Sequence, residues 1–491
     1  MSPLFTVARI EARLLWADRT ALWALLVFLA ATAYALASGL GMRADKVESV
    51  EALVTTDAER WTEWQAEADS IEQAMQAEGV ALDTYEWGVR SPYTVGMFYG
   101  RDVAVPPPPL SALAMGQADL YPAAHRIVAA STVSVGSSDA LTSPLRLAAG
   151  AFDLAFVLLY LLPLLALALG YDLTASERER GTLRLVLAQP LSRRTLVAGK
   201  LLARGGLLAL LVVAATTAGF VLAGGDVARW ALWTAATLSY GLFWLALAAL
   251  VDARGKSAAS NAVVLAVCWL GLAVVFPAIV TLLASQVHPV PTRAAFVAAA
   301  RTAEGEVLQR GDEPLALFLA DHPEMAEAVE GGGGGETYAM TRIARDALVA
   351  EAVGPVVAQF AEQRADQVGF VRTVGALSPT VLAHAAFLDL AGTGDAQQRE
   401  ALAAVTAYQR AWQDYVEPLT FAARPFRAAA YAEAPTFAPP PDPTADAVRR
   451  ASGPLAGLGL AALLLLGFVA VFQRRPGAPR PPPTCPLVSR K

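Results

Sequence analysis

The chain carries a series of apolar runs, each long enough to cross a lipid bilayer, separated by polar stretches of very different length. A spanning α-helix needs about 20 predominantly apolar residues. Six runs meet this requirement and predict transmembrane helices over residues 20–40, 149–171, 201–223, 230–251, 260–285 and 452–472. Of the 491 residues, 55% are hydrophobic and only 17% are charged, against about 25% charged in soluble domains. We therefore predict an all-α polytopic membrane protein with six transmembrane helices.

The distribution of Lys and Arg predicts the orientation of these helices. Four short segments are rich in basic residues: 1–19, 172–200, 252–259 and 473–491. The two long segments, 41–148 and 286–451, hold more acidic than basic residues. Because loops rich in Lys and Arg stay in the cytoplasm, both termini are predicted to be cytoplasmic. The two long segments are then extracytoplasmic insertions, in a multi-pass protein of the bacterial inner membrane.

The insertions are predicted to pack into one mainly helical extracytoplasmic domain. Residues 49–78 have the pattern of an amphipathic helix, and 79–148 are rich in Pro, Tyr and Gly and read as irregular. The second insertion has several helical patterns, interrupted by a pentaglycine at 331–335 that is typical of a flexible loop. The tail 473–491 is rich in proline and is predicted to be disordered.

The N-terminal segment 1–19 is predicted to form a helix on the membrane surface. Phe5, Ile10 and Leu14 can share one face, with the charged Arg9, Glu11 and Arg13 elsewhere. The competing interpretation is a cleaved signal peptide, since residues 35–37 (Ala-Leu-Ala) resemble a cleavage site. The apolar run before that site is longer than the 7–15 residues of a signal peptide. We therefore expect the segment to be retained.

Several motifs that resemble catalytic or cofactor sites do not fit their context. Gly255-Lys256-Ser257 resembles the end of a phosphate-binding loop, but Leu250 stands where that loop needs its first glycine. The four histidines are scattered, the two cysteines form no framework, and no span carries the chain of acids expected of a proton-driven carrier. The chain is therefore predicted to be no enzyme, to hold no cofactor and to bind no nucleic acid.

Small residues inside two spans predict close helix packing. Gly457-Leu-Gly459 matches a loose dinucleotide fingerprint, but it lies within an apolar run, where glycines let helices approach each other. The residues expected at such contacts are spaced four apart in each span: Ala166 and Gly170, and Gly453 and Gly457.

A charged segment, 176–200, joins the second and third spans through more residues than a turn requires. Thr182 is a plausible N-cap of a short helix, near the acidic Glu177 and Glu179. Leu183, Val186 and Leu187 would share its apolar face. Pro190 would end that helix, and Ser192 would cap the third span. Arg204, one turn inside that span, is expected to reach back to the cytoplasmic interface.

Two interpretations of this segment remain open on physical grounds. It could be a basic anchor that fixes topology, with no partner. It could also be a helix on which a cytoplasmic protein docks.

The order of residues in this segment resembles the first cytoplasmic loop of the permeases of type 2 ABC transporters. The resemblance lies in Glu177-Arg178-Glu179-x-Gly181-Thr182-Leu183, then Pro190-Leu191-Ser192-Arg193, then Gly199-Lys200. Residues 110–122 (LSALAMGQADLYP), 376–379 (ALSP) and 390–393 (LAGT) are similar to a subgroup with large insertions after spans one and five. The resemblance extends over almost the whole chain.

The resemblance implies one permease half that pairs with a second permease, identical or paralogous, and with two separate cytoplasmic ATPase subunits. ATP and magnesium would be bound by those ATPases. The loop helix would be the coupling helix, and the N-terminal helix with Arg9, Glu11 and Arg13 would be the elbow helix. The residues implied in ATPase docking are Glu177, Arg178, Glu179, Gly181, Thr182, Leu183, Leu187, Pro190, Ser192 and Arg193.

Three functions are compatible with these features. The first is an ATP-driven exporter. The second is a mechanotransmitting complex that moves nothing across the membrane and reshapes its outer domain to act on an extracytoplasmic partner. The third is a membrane enzyme with its site in the outer domain, which lacks a visible catalytic constellation.

Overall fold

The computed structural model describes residues 2–84, 87–116, 122–130, 151–309, 313–323, 325–326 and 337–472. The pentaglycine, the tail 473–491 and the start of the predicted second span lie outside these residues. The described helices that form the first part of the chain are α1 (Pro3–Ala17), α2 (Arg19–Glu78), α3 (Leu154–Phe156), α4 (Leu162–Gly170), α5 (Ala175–Glu179), α6 (Thr182–Leu187) and α7 (Arg193–Ala223). The remaining helices are α8 (Val227–Ala253), α9 (Ala258–Leu270), α10 (Phe276–Val287), α11 (Arg293–Leu308), α12 (Glu313–Asp321), α13 (Thr337–Gly375), α14 (Pro379–Ala391), α15 (Asp395–Phe421), α16 (Ala428–Glu433) and α17 (Thr444–Phe472).

Six helical segments of the described chain are long and apolar enough to span a membrane, which confirms the predicted number. They are Arg19–Glu78, Leu154–Glu179, Arg193–Ala223, Val227–Ala253, Ala258–Val287 and Thr444–Phe472. Two of them contain a π-helical turn, at Val157–Leu161 and Gly271–Val275. Most buried side chains of these helices belong to one contiguous apolar core.

The first span continues without interruption into the first insertion. The sequence divides this region into a span at 20–40 and an amphipathic helix at 49–78, whereas α2 is one helix of 60 residues. At 1.5 Å per residue it is about 90 Å long, three times the hydrocarbon thickness of a bilayer. No proline interrupts it, and Gly79 ends it in a left-handed conformation. One rigid element therefore connects the bundle to the insertion.

Helix α14 lies inside the bundle, although the sequence places all of 286–451 in an outer insertion. At its N-terminus the Ser378 hydroxyl donates to the Leu272 carbonyl at 2.9 Å, and Thr380 shares a hydrogen bond of 3.0 Å with Tyr240. Leu272 and Tyr240 lie near the middle of their spans. At its other end, Arg229 donates to the Leu390 carbonyl at 3.3 Å, near the start of α8. With 13 residues, α14 is too short to cross the membrane, and it packs among the spanning helices.

The segment of residues 109–116, buried over 110–115, closes the end of the bundle at which Arg229 and Leu390 lie. Its Met115 amide donates to the Asp153 carboxylate at 2.8 Å, and its Ala114 carbonyl accepts from the Thr393 hydroxyl at 2.8 Å. The sequence motifs at 110–122 and 390–393 therefore meet in space through their described residues. Their shared role is to join the bundle to the insertions.

The described parts of the two insertions share an apolar core. It combines Ala68 of α2, Ile127 and Trp412, all fully buried. Beside it, strands β1 (Arg101–Ala104) and β2 (Ala124–Ile127) form an antiparallel pair with Arg101 opposite Ile127. We call this unit, formed by residues from both long polar segments, the insertion domain.

The residues predicted to permit helix packing lie in different surroundings. Ala166 is fully buried, and a Cβ added at Gly170 would lie 2.5 Å from the Cβ of Ala248 on α8. A Cβ at Gly457 would lie 3.0 Å from Leu382 on α14, whereas one at Gly453 would have no atom within 4 Å. Gly170 and Gly457 thus lie at contacts within the chain, and Gly453 faces open space.

Gly39 and Gly41 provide a matched test of the contact between α2 and segment 109–116. A Cβ at Gly39 would overlap the Ala112 carbonyl, whereas one at Gly41 would meet nothing within 4 Å. Gly39→Ala should destabilise the protein by about 2 kcal/mol because the backbone of segment 109–116 must move. Gly41→Ala should be neutral or stabilising by up to about 1 kcal/mol, since alanine favours helix. Thermal unfolding of the purified protein measures both, and equal behaviour of the two variants would contradict this packing.

Candidate functional site

The charged segment 176–200 folds into two short helices and a capped start of α7. Gly181 adopts φ 75° between α5 and α6, a conformation that glycine allows at little cost. The expected N-cap Thr182 is instead the first residue of α6, because the left-handed Gly181 takes the cap position. After α6 and Pro190, the Ser192 hydroxyl accepts from the Thr195 amide at 3.1 Å and caps α7, as its sequence predicts.

Helix α6 lies on the surface of this segment, and none of its six residues is buried. Leu185 is 72% exposed and Leu187 is 37% exposed. The predicted apolar face differs from the observed one, since Leu183 and Val186 are half-buried and Leu185 is the most exposed apolar side chain. Leu185 and Leu187 together leave part of the apolar surface of α6 uncovered.

The acidic side chain of Glu177 points into the protein. It accepts a hydrogen bond of 2.8 Å from the Lys200 ammonium group, which also donates to the Leu173 carbonyl at 2.8 Å. Lys200 is only 4% exposed and lies 3.7 Å from the second carboxylate, Glu11 of α1. This ion pair fastens α5 to α7 and to the N-terminal helix.

Arg204 is buried one turn further along α7. Its guanidinium lies 2.6 Å from the Glu11 carboxylate and 2.7 Å from Asp172, and it also donates to the Leu169 carbonyl. Arg204 thus reaches the end of the second span while only 7% of it is exposed. The side chain is retained inside because two carboxylates neutralise it and hydrogen bonds satisfy it, as a buried charge requires.

A second polar cluster fastens the loop to spans four and five. Asp252, at the end of α8, accepts hydrogen bonds from the amide and hydroxyl of Thr174 and lies 3.6 Å from Arg178. It also accepts from Asn261 of α9 at 3.3 Å. Glu179 accepts from the Ala258 amide at 2.8 Å, at the N-terminus of α9, where a carboxylate is favoured by the helix dipole.

The two clusters make α5 a junction of five elements, namely α1, α7, α8, α9 and the end of the second span. Glu177, Arg178 and Glu179 are assigned by sequence to the docking of an ATPase, but their polar groups bind other parts of the same chain. They position α6. Of the remaining docking residues, Arg193 is half-buried at the start of α7.

The N-terminal helix α1 packs closely on α7. A Cβ at Gly199 would lie 2.7 Å from Val7, so glycine in the Gly199-Lys200 motif permits this approach. Glu11 is buried in the contact, whereas Arg9 and Arg13 are exposed. Asp18 separates α1 from α2, and the Thr20 hydroxyl that donates to it holds the pKa of this carboxyl below its usual range.

Sequence reasoning missed Asp172, Asp252 and Asn261. Their partners lie far away along the chain, as Thr174 and Asp252 do, so that no local spacing indicates the contact. The only signal was that these polar residues stand at the ends of apolar runs, where they usually face water. Within the described residues, no group of three His, Cys, Asp or Glu side chains could hold a metal ion.

Arg204→Met tests the first cluster. We expect a loss of stability of about 3 kcal/mol, because the buried Glu11 would lose its nearest cation and keep only Lys200, at 3.7 Å. Arg204→Met combined with Glu11→Leu should recover part of that loss. Arg194→Met, at an exposed position of the same helix, is the control and should change little. Thermal unfolding distinguishes these variants, and equal losses for Arg204→Met and the double variant would refute the pairing.

Comparisons with known proteins agree with this architecture. A model of the ABC-2 family transporter proteins matches residues 6–434. Over 61 residues, the chain is 49% identical to the probable ABC transporter permease protein NosY of Pseudomonas aeruginosa, covering 12% of this chain and 21% of that protein. It is 44% identical to the protein of the same name from Stutzerimonas stutzeri over 61 residues, 12% of this chain and 22% of that protein.

The matched stretch thus spans about a fifth of either NosY protein, whereas the family match covers well over half of this chain. Together with six apolar helices, this shows that the chain belongs to the ABC-2 family of transporter proteins, as a multi-pass permease of the inner membrane.

Proposed function

We propose that the chain is the permease subunit of an ATP-driven exporter. It pairs with a second permease, identical or paralogous, and with two cytoplasmic ATPase subunits that bind ATP and magnesium. Both termini and the 172–200 loop lie in the cytoplasm, and the insertion domain lies outside. Both NosY proteins are named as probable ABC transporter permeases, which is consistent with this assembly.

The observation that carries the proposal is that α6 is exposed and is attached to the firmly bound helix α5. Helix α6 exposes Leu185 and Leu187, and it is joined by one glycine to α5, which is fastened by Glu177, Arg178 and Glu179. A helix that is exposed on one side and rigidly anchored on the other can receive a force from a partner. It then passes that force to α1 and α7 through Lys200, and to α8 and α9 through Asp252.

A separate ATPase is supported by the sequence around Gly255-Lys256-Ser257. In the structure Ser257 caps α9 by accepting from the Ser260 amide at 3.2 Å. The hydroxyl that a phosphate-binding loop would use for magnesium therefore serves a helix terminus. Together with Leu250 at the first glycine position, this favours energy supplied by a partner.

The continuous helix α2 favours a second candidate function, mechanotransmission without transport. Asp57 of α2 is 4% exposed and accepts from Arg101 at 2.9 Å and from the Asp102 amide at 2.8 Å. Further along, Glu72 accepts from the Ala428 amide at 3.0 Å. Buried carboxylates thus bind α2 to the insertion domain at two levels. Tilting of α2 in the membrane would move that domain and any extracytoplasmic partner bound to it.

Leu185→Asp tests the docking of the ATPase. We expect this variant to bind its ATPase about thirtyfold more weakly, equivalent to about 2 kcal/mol, because a charge would enter an apolar contact. Val80→Asp is the matched control, since Val80 is an exposed apolar residue just beyond the far end of α2. The measurement is co-purification of the tagged permease with a subunit that carries a phosphate-binding loop. Normal recovery of that subunit with Leu185→Asp would refute docking through α6.

A further inference from the structure

Two arginines of α1 have no role in the contacts described above. Arg9 and Arg13 are exposed, and each is two residues from the buried Glu11. Two residues rotate an α-helix by about 200°, so both side chains lie on the side of α1 turned away from α7. They are spaced four residues apart, and two like charges at this spacing repel each other in water. The only acidic residue within α1, Glu11, is buried.

The depth of α1 in the membrane follows from its contacts with α7. It packs on Gly199 and binds Lys200 and Arg204. Beyond Arg204, α7 has no charged residue up to its end at Ala223. Arg204 therefore marks the boundary between the charged and the apolar part of this span. Helix α1 lies at that boundary, where the phosphate groups of lipids are found.

Apolar side chains flank the two arginines and are exposed. Phe5 is 57%, Ile10 54%, Leu14 58% and Trp16 70% exposed. Exposed apolar groups of this size are stable when acyl chains cover them, and tryptophan is typical of the membrane interface. Cationic groups between such residues are therefore held at the level of the lipid headgroups.

We propose that Arg9 and Arg13 form a binding site for an anionic phospholipid of the cytoplasmic leaflet. The phosphate of one lipid accepts from both guanidinium groups and relieves their repulsion, and its acyl chains cover the apolar flanks of α1. Because Glu11 on the opposite side of the helix binds Arg204 and lies beside Lys200, the lipid braces the helix that supports the loop. The assignment of this lipid to the cytoplasmic leaflet rests on the proposed topology, whereas the lipid contact itself does not.

The experiment compares two lipids on the full-length chain. The detergent-purified protein is equilibrated with equal amounts of phosphatidylglycerol and phosphatidylcholine, and the ratio of bound lipids is measured by native mass spectrometry. We expect the wild type to prefer phosphatidylglycerol. Arg9→Gln with Arg13→Gln should reduce that preference by about fivefold for each arginine, since one basic residue near an anionic surface contributes about 1 kcal/mol. Arg9→Lys with Arg13→Lys should retain most of it.

The matched control is Arg180→Gln with Arg184→Gln, which removes the same charge at the same spacing from the exposed loop. It should leave the lipid preference intact. Equal loss in both double variants would show a non-specific charge effect and overturn the proposal. An unchanged lipid preference with loss of the ATPase in Arg9→Gln/Arg13→Gln would assign these arginines to the ATPase instead. If the wild type bound no ATPase, the proposed function would fail while the lipid result stood.

Discussion

The end of the bundle that carries segment 176–200, here called the loop end, depends on a buried arginine. Arg204 lies inside the bundle only because Glu11 and Asp172 neutralise it from two directions. Removing both carboxylates would leave a charge that the apolar surroundings cannot accommodate. This requirement determines where α1 lies against α7 and where the second span ends. Lys200 extends the same network to Glu177, so the position of α6 depends on the same few charges.

At the opposite end of the bundle, close backbone packing and hydrogen bonds hold the helices in place. There the backbone of segment 109–116 fits against Gly39, and Asp153 and Thr393 bind its amide and carbonyl groups. Helix α2 connects the two ends, since it begins at Asp18 beside α1 and ends in the insertion domain. A displacement at the loop end therefore has a direct physical route to the insertion domain, which is compatible with both transport and mechanical action.

Features that depend on neighbouring residues along the chain could be predicted from the sequence. The six spans follow from apolar runs, and the Ser192 cap follows from local chemistry at a helix start. Helix α14 could not be recognised, because its 13 residues are too few for a span and stand within a long polar segment. The cluster around Asp252 was equally hidden, since it joins residues that are distant in sequence. The charges of Glu177 and Glu179 suggested a docking role for the loop, but both carboxylates bind groups of the same chain.

In the proposed function, force from α6 reaches α1 and α7 through Lys200, and the Glu11–Arg204 contact holds these two helices together. The most direct measurement is the ATPase rate of the partner subunit with and without the permease, using Glu11→Leu combined with Arg204→Met. We predict that the double variant still binds the ATPase through α6 but stimulates its rate far less than the wild type does, because only the route through Asp252 remains. Full stimulation of the ATPase by the double variant would contradict it.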